Sequence, residues 1–460
     1  MITLAINWAQ VGMQAGYLLA SLSILVVMHE FGHYITAKWF KCRVEKFYLF
    51  FDPWFSIAKK KIGETVYGIG WLPLGGYVKI AGMVDESMDK EQLKQPPQPW
   101  EFRSKPAWQR LIIMLGGVTV NVLLAFLIYA MILYKWGETK LPVANVPNGI
   151  WVTDSVMLNI GFKSGDKVVA VDGEAIEYFD DIPAKIIVGE TVSIVRDGKK
   201  IELPLPKDLI GKLVEKKGKN TSLLQQRIPL IIGGYGAKDT TNAKTAGLMG
   251  MDKIVMVDST TVIYFDQLMD YLATKKNDTV DISYSRDGGA LQRVAVPVSS
   301  EGKIGIGGLT QEQYDSMGVF TLQKTQYGFW ESFPAGVRKT GERLDWYIQQ
   351  AALLLKPSSG AYKGLGGFKA MASIFPKNEW DWQVFWNITA FFSIILAFMN
   401  LLPIPALDGG HVLFTLIEMV TGRKPSDKFL EYAQIVGMVL LLGLMLYANG
   451  NDWFGWGKNK

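Results

Sequence analysis

Histidine is nearly missing from this chain, with three in 460 residues. Cysteine is scarcer, Cys42 alone, so an intrachain disulfide is excluded and the residue reads as a buried thiol without chemistry. Excess charge is also lacking. Lys and Arg number 48 against 43 Asp and Glu, and a net +5 over this length gives nucleic acid no foothold as a partner. Residues 1–16 contain no Lys or Arg, so the positive region of a cleavable secretory signal is absent and the first apolar run is expected to be a retained span. Charged residues make up 20% and hydrophobic residues 49%, the balance of membrane spans joined to water-soluble domains.

Two of the three histidines close that first apolar run: Leu18 to Met28 leads into His29-Glu30-Phe31-Gly32-His33. On a helix, positions 29 and 33 share one face, the spacing that lets two imidazoles grip one zinc with Glu30 nearby as a base. Ionisable groups at membrane depth are costly and mark function by default.

Four segments are apolar over close to the ~20 residues that a span needs: about 12–38, 111–134, 384–402 and 432–448, the last the shortest. Basic residues flank them unevenly. Lys38, Lys41, Arg43 and Lys46 follow the first; Arg103, Lys105 and Arg110 precede the second; Arg423, Lys424 and Lys428 join the third to the fourth. Both short loops are therefore expected in the cytoplasm, and the stretch 135–382 outside.

Within that outer stretch a pattern occurs twice, Ile160-Gly161-Phe162-Lys163-Ser164-Gly165-Asp166-Lys167 and Ala246-Gly247-Leu248-Met249-Gly250-Met251-Asp252-Lys253. Each is followed by an alternating strand, a short helical stretch and a strand pair closing on Arg196-Asp197-Gly198 or Arg286-Asp287-Gly288. The pattern resembles tandem PDZ domains of the bacterial, circularly permuted kind, with Met251 standing where the motif has Gly, so a different turn is expected there. Such domains bind extended peptides at a sheet edge; passive size filtering is the equal alternative. Residues 327–355, then 368–375, have the apolar spacing of helices lying on a membrane surface or packed in a soluble unit. In the cytoplasmic loop, 62–84 alternates β-branched and aromatic residues between glycines, which predicts an apolar hairpin beside the membrane.

A catalytic zinc takes three protein ligands and leaves a position for water. The third is expected from Asn400-Leu401-Leu402-Pro403-Ile404-Pro405-Ala406-Leu407-Asp408-Gly409-Gly410-His411, where two prolines break the helix before a lone carboxylate. Asp408 is the expected ligand, with His411 as the minor competitor. Glu30 would take a proton from water and pass it to the leaving amine. Asn400, in a turn expected to unwind before Pro403 and Pro405, and an edge within 66–80 would receive the freed backbone of an unwound substrate. Asn121 in the second span would do the same or bridge helices.

HEFGH, PLGGYVK at 73–79 with Gly75, Gly76 and Tyr77, and NLLPIPALDGGH, in order and with two PDZ-like units between the second and third spans, resemble the site-2 protease family, in its regulator of sigma-E protease branch. One departure is Val118, where relatives have Pro. The resemblance implies a zinc endopeptidase of the bacterial inner membrane with its active site near the cytoplasmic side and its PDZ-like domains periplasmic. Its substrates would be single-span membrane proteins, an anti-sigma factor already trimmed by another protease and remnant signal peptides. The expected architecture is an α-helical polytopic protein of four spans with two inserted PDZ-like α/β domains and a small membrane-associated β-hairpin or sheet. Its expected parts are 1–46, 47–106, 107–135, 136–225 and 226–313 (PDZ-like), 314–382, 383–420 and 421–460. Two readings compete: a membrane-anchored quality-control zinc protease with a water-exposed site, and a membrane-tethered PDZ scaffold without activity.

Overall fold

The computed structural model describes residues 7–73, 75–83, 96–216, 223–236, 241–377 and 379–457. The chain forms two compact units, one of Met1–Gly137, Gln326–Leu355 and Tyr362–Lys460, the other of Glu138–Thr325 and Lys356–Ala361.

Among the described residues the first unit has six helices of fourteen residues or more, α1 Trp8–Trp39, α2 Ala107–Trp136, α3 Phe329–Leu354, α4 Trp382–Leu401, α5 Asp408–Thr421 and α6 Asp427–Phe454, with a short helix at Phe368–Ser373. Four of them, α1, α2, α4 and α6 from Lys428 on, are long and apolar enough to cross a membrane. Side chains cap three of their starts: Asn7 accepts from the Gln10 amide, Asp381 from Val384 and Ser426 from Phe429. Between α1, α2 and α4, small and polar contacts sit among apolar clusters such as Tyr17, Leu25 and Phe385 or Ile128, Tyr129 and Ile394. Gly32 of α1 lies against Gly116 of α2, and a Cβ on either would strike the other's backbone. The Thr389 hydroxyl donates to the Ser21 hydroxyl at 3.0 Å, and the Ser393 hydroxyl to the Asn121 carbonyl at 2.8 Å, all four residues buried. That is how spans associate where burial from water supplies no drive: small residues allow close approach and hydroxyls bridge. Helix α2 runs unbroken through Val118. The helix expected near 327–355 is α3, whose Gly336 packs on Ala130 of α2.

A four-stranded sheet follows α1: β1 Val44–Leu49, β2 Phe51–Ile62, β3 Thr65–Leu72 and β4 Tyr77–Ile80, in the order β2-β3-β1-β4. The hairpin expected within 62–84 is corrected here. Strands β3 and β4 do not pair, because β1 lies between them, parallel to β3 and antiparallel to β4. The hairpin is β2–β3, turning at Gly63 in the left-handed region. Strand β3 is flanked on both sides, so of the expected receiving edge only β4 at 77–80 is a sheet edge.

The second unit carries the repeat in three dimensions. Strands Glu174–Ala175, Lys167–Val171, Thr191–Arg196 and Lys199–Pro204 lie side by side in that order, and Thr260–Thr261, Lys253–Val257, Thr279–Ser285 and Leu291–Pro297 reproduce it. A helix stands at the same place in each, Ile182–Val188 and Phe265–Thr274. The ion pairs repeat as well. Arg196 donates to both oxygens of buried Asp166 at 2.7 Å and to the Gly161 carbonyl; Arg286 donates to both oxygens of buried Asp252 at 2.8 Å and to the Gly247 carbonyl. Met251 adopts φ +70° where Gly165 adopts +100°, so the turn keeps its hand and places a methionine in the left-handed region. The expectation of a different turn is corrected. Strand Glu138–Lys140 pairs antiparallel with Gln323–Thr325, which brings the unit's entry and exit together.

Candidate metal centre

Buried residues on α1 recur at Tyr17, Ser21, Leu25, His29 and His33, an i,i+4 stripe that carries both imidazoles inward. Beneath them Gly117 of α2 is a necessity. A Cβ there would come 2.6 Å from His29 Cε1 and 2.5 Å from His33 Nε2.

The third ligand arrives by a break in the backbone. Helix α4 stops at Leu401, Pro403 and Pro405 lie in the crossing segment, and Ala406 takes φ +80°. Helix α5 then starts at Asp408. Thus Asp408 opens a helix of its own, not the tail of the third span, and Asn400 is still helical, not in an unwound turn. The two glycines after Asp408 let the new helix fold tightly over the old one: a Cβ on Gly410 would lie 2.7 Å from the Ile404 carbonyl, and one on Gly409 would strike the Leu401 and Leu402 carbonyls. At its far end α5 is tied to α2, with Arg110 Nη2 donating to Glu418 Oε1 at 2.5 Å.

Three donor atoms converge. His29 Nε2 and Asp408 Oδ2 are 3.1 Å apart, His33 Nε2 and Asp408 Oδ2 3.2 Å, and the two Nε2 atoms 3.3 Å. An ion bound tetrahedrally at 2.0–2.1 Å needs ligand atoms about 3.3 Å apart, so the triangle has the size of a zinc site. Among the described residues these are the ligand-type side chains grouped this way; His411, one turn along α5, is outside the group and lines a cleft with Arg110 and Glu418. The tautomers agree. His33 Nδ1 is 2.8 Å from the Ile113 carbonyl, which can only accept, so the proton is on Nδ1 and Nε2 keeps its lone pair. His29 Nδ1 faces the Asn121 amide at 3.1 Å. As placed, the Asn121 amide oxygen is buried with no partner among the described residues, and turned over it accepts a ring proton, leaving the second Nε2 free to ligate.

Around the triangle stand the other expected residues. Asn400 Nδ2 is 3.2 Å from His29 Nε2, at the edge of the donor set. Glu30 follows His29 on α1 and accepts the Val78 backbone amide of β4. Gly76 is what admits that strand: a Cβ there would lie 2.7 Å from Val26 Cγ1 and 3.7 Å from Glu30 Cγ. Tyr77 is turned elsewhere, its hydroxyl donating to Asp52 at 2.8 Å and its ring stacked on Tyr48, and Gly75 sits over the Phe51 ring. Pro405 places its carbonyl against Gly437 of α6, while Asn121 serves His29 and the helix contact to Ser393. Sequence reasoning missed Gly32, Gly116 and Gly117 and the Arg110–Glu418 tie. The signal for the tie was two opposite charges flanking separate apolar stretches; for the glycines it was a Gly-Gly pair in an otherwise bulky span.

The model of peptidase family M50 matches residues 17–444. A provisionally named zinc metalloprotease of Rickettsia conorii is 27% identical over 94% of this chain and 96% of its own length. One of Vibrio cholerae is 26% identical, covering 94% and 96%. The regulator of sigma E protease of Haemophilus influenzae is 26% identical over 95% of this chain and 98% of its own length.

Proposed function

The chain belongs to peptidase family M50 and is a multi-pass membrane metalloprotease, and on that premise we propose that it hydrolyses peptide bonds inside transmembrane segments of single-span membrane proteins. The observation that carries the reading is the triangle of His29, His33 and Asp408, all three on or beside helices long enough to span a bilayer. Those residues would hold the zinc. Bound there, zinc supplies Lewis acidity that eases deprotonation of water and polarises a carbonyl.

The chain's own groups do the rest. Glu30 takes the proton of the attacking water and delivers it to the leaving nitrogen; the Val78 amide orients its carboxylate. A transmembrane helix hides its peptide bonds in its own hydrogen bonds, so cleavage requires a few residues to unwind and their backbone groups to be satisfied. The groups we assign to that task are the Asn400 amide, 3.2 Å from His29, and the sheet edge of β4, which Gly76 leads into beside Glu30.

We read the two repeats of the second unit as PDZ-like domains on the periplasmic side of a bacterial inner membrane, with the active site toward the cytoplasm. The relative's name supports substrates of the anti-sigma type, already shortened outside, with remnant signal peptides as a second class, in envelope stress signalling. The test is cleavage of a membrane-inserted helix lacking its outer domain. Wild-type protein should cut it and lose activity to a zinc chelator; Glu30→Gln should not cut it while retaining zinc and fold. Proteolysis by Glu30→Gln would remove the proposed base.

A further inference from the structure

Strand β2 has features that the protease chemistry does not use. It is an edge strand, and it is bare from residue 57 to 62. Before that stretch the strand bulges: Phe51 pairs with Leu72 and Ser56 with Gly70, with Trp54 at φ +73° between them. The bulge turns apolar rings outward. Trp54 is 90% exposed, Phe55 59% and Ile57 65%. Both rings stack on Trp71, whose indole N–H donates to the Pro53 carbonyl at 2.8 Å, so that ring donor is satisfied internally. Three lysines follow in a row. Lys59, Lys60 and Lys61 are exposed and stand across from Gly68, Tyr67 and Val66, none of them acidic; Glu64 in the turn is the nearest carboxylate in sequence.

The sheet's attachment to α1 fixes the depth of each group. At one end Gly76, beyond Leu72, touches Val26 and Glu30, in the middle of a spanning helix. Farther along, Tyr67, the partner of Lys60, shares a hydrogen bond of 2.7 Å with Tyr34. At the other end Thr65 donates to the Val44 carbonyl, five residues past the end of α1. The bulge with Trp54 and Phe55 is therefore level with apolar helix, and the lysines are level with the last turns of α1, where Lys38 and the exposed Trp39 stand. Apolar rings below and a row of cations above match, level for level, what a membrane leaflet presents: acyl chains, then phosphates.

We infer that the β2 edge is a lipid-binding arm, with Trp54, Phe55 and Ile57 among the acyl chains and Lys59, Lys60 and Lys61 on the headgroups of anionic phospholipids. The occupant is an anionic lipid, and not a soluble acidic protein, because the cations continue directly from an exposed apolar cluster that lies at the depth of a span. The inference rests on the spans alone, so it stands or falls separately from the assignment of the cleavage reaction. Lysines near an anionic surface contribute roughly a fivefold preference each, so three give up to ~100-fold.

Native mass spectrometry of the full chain, titrated in detergent with phosphatidylglycerol or phosphatidylcholine, reads this directly. Wild-type protein should retain phosphatidylglycerol preferentially, and Lys59→Gln with Lys60→Gln and Lys61→Gln should lower that preference by more than tenfold. High salt should do the same. Depth is read separately with a nitroxide at Ile57→Cys on a Cys42→Ser background in nanodiscs. Greater accessibility to oxygen than to a water-soluble nickel complex supports the arm; the reverse overturns it. Equal retention of the two lipids, or a preference that survives the triple substitution, overturns the headgroup assignment, and capture of an acidic peptide by the same lysines would assign the arm to protein instead.

Discussion

At the scale of single residues, the centre is governed by which nitrogen carries each proton. The Ile113 carbonyl fixes His33, and the Asn121 amide does the same for His29. Removing a partner of this kind costs 10–100-fold in metal affinity in comparable sites. Asn121→Ala should accordingly weaken zinc retention by about that factor in a chelator competition, with α2 still helical by circular dichroism; unchanged retention would make Asn121 a helix bridge only. Asp408→Ala removes a ligand outright, and zinc measured by elemental analysis should fall well below one per chain. Much of this scale was legible from sequence, because zinc demands particular residue types at helical spacing. His29, His33 and Asp408 converge as expected. The role of Asn121 was half legible: an amide in a span announces a partner but not which one, and that partner is 92 residues away.

Elements carry the next layer. The break between α4 and α5 is what turns Asp408 toward the histidines, and Gly409 and Gly410 let it close. Prolines announce such a break in a sequence, but its geometry comes from a residue in an unfavourable conformation, Ala406, which no propensity flags. The sheet shows the same limit. Alternation marked strands within 62–84, yet pairing depends on β1, whose parallel partnership with β3 is non-local and leaves no periodicity to read. In the second unit the Asp252–Arg286 pair provides a test by pH. Burial alone would raise the Asp252 carboxyl, but the Arg286 guanidinium and the Met249 amide hold it below its usual range. A depressed carboxylate contributes stability that is present above its unfolded value, near 3.9, and is lost as pH falls through and below it. Arg286→Leu leaves that carboxylate buried without its partner and should destabilise the second repeat. Hydrogen exchange across 247–286 should speed up in the variant at neutral pH and differ less from wild type in acid; an equal difference at both pH values would mean that the pair is not the cause.

For the whole molecule, the question is what the second unit does for the first. Its chain enters at Glu138–Lys140 and leaves at Gln323–Thr325 as paired strands, so excising 138–325 and joining the ends should leave the helical unit folded. If the repeats exclude bulky substrates, the shortened protein should cleave membrane proteins that retain their outer domain, which the full chain spares. Continued resistance of those substrates would assign the repeats to peptide binding instead. The four spans and the duplication were readable because both are written as composition and repetition; the partition into units was not, since it depends on contacts between segments far apart in the chain.

The central claim is that three side chains from two helices, α1 and α5, hold a zinc that cuts within the bilayer. The most direct measurement is mass-spectrometric mapping of the bond cut in a single-span substrate reconstituted with the enzyme in liposomes. The account predicts a scissile bond inside the ~20-residue apolar stretch, lost on zinc removal and restored by zinc alone. A bond in the water-exposed flank, or cleavage indifferent to zinc, would contradict it.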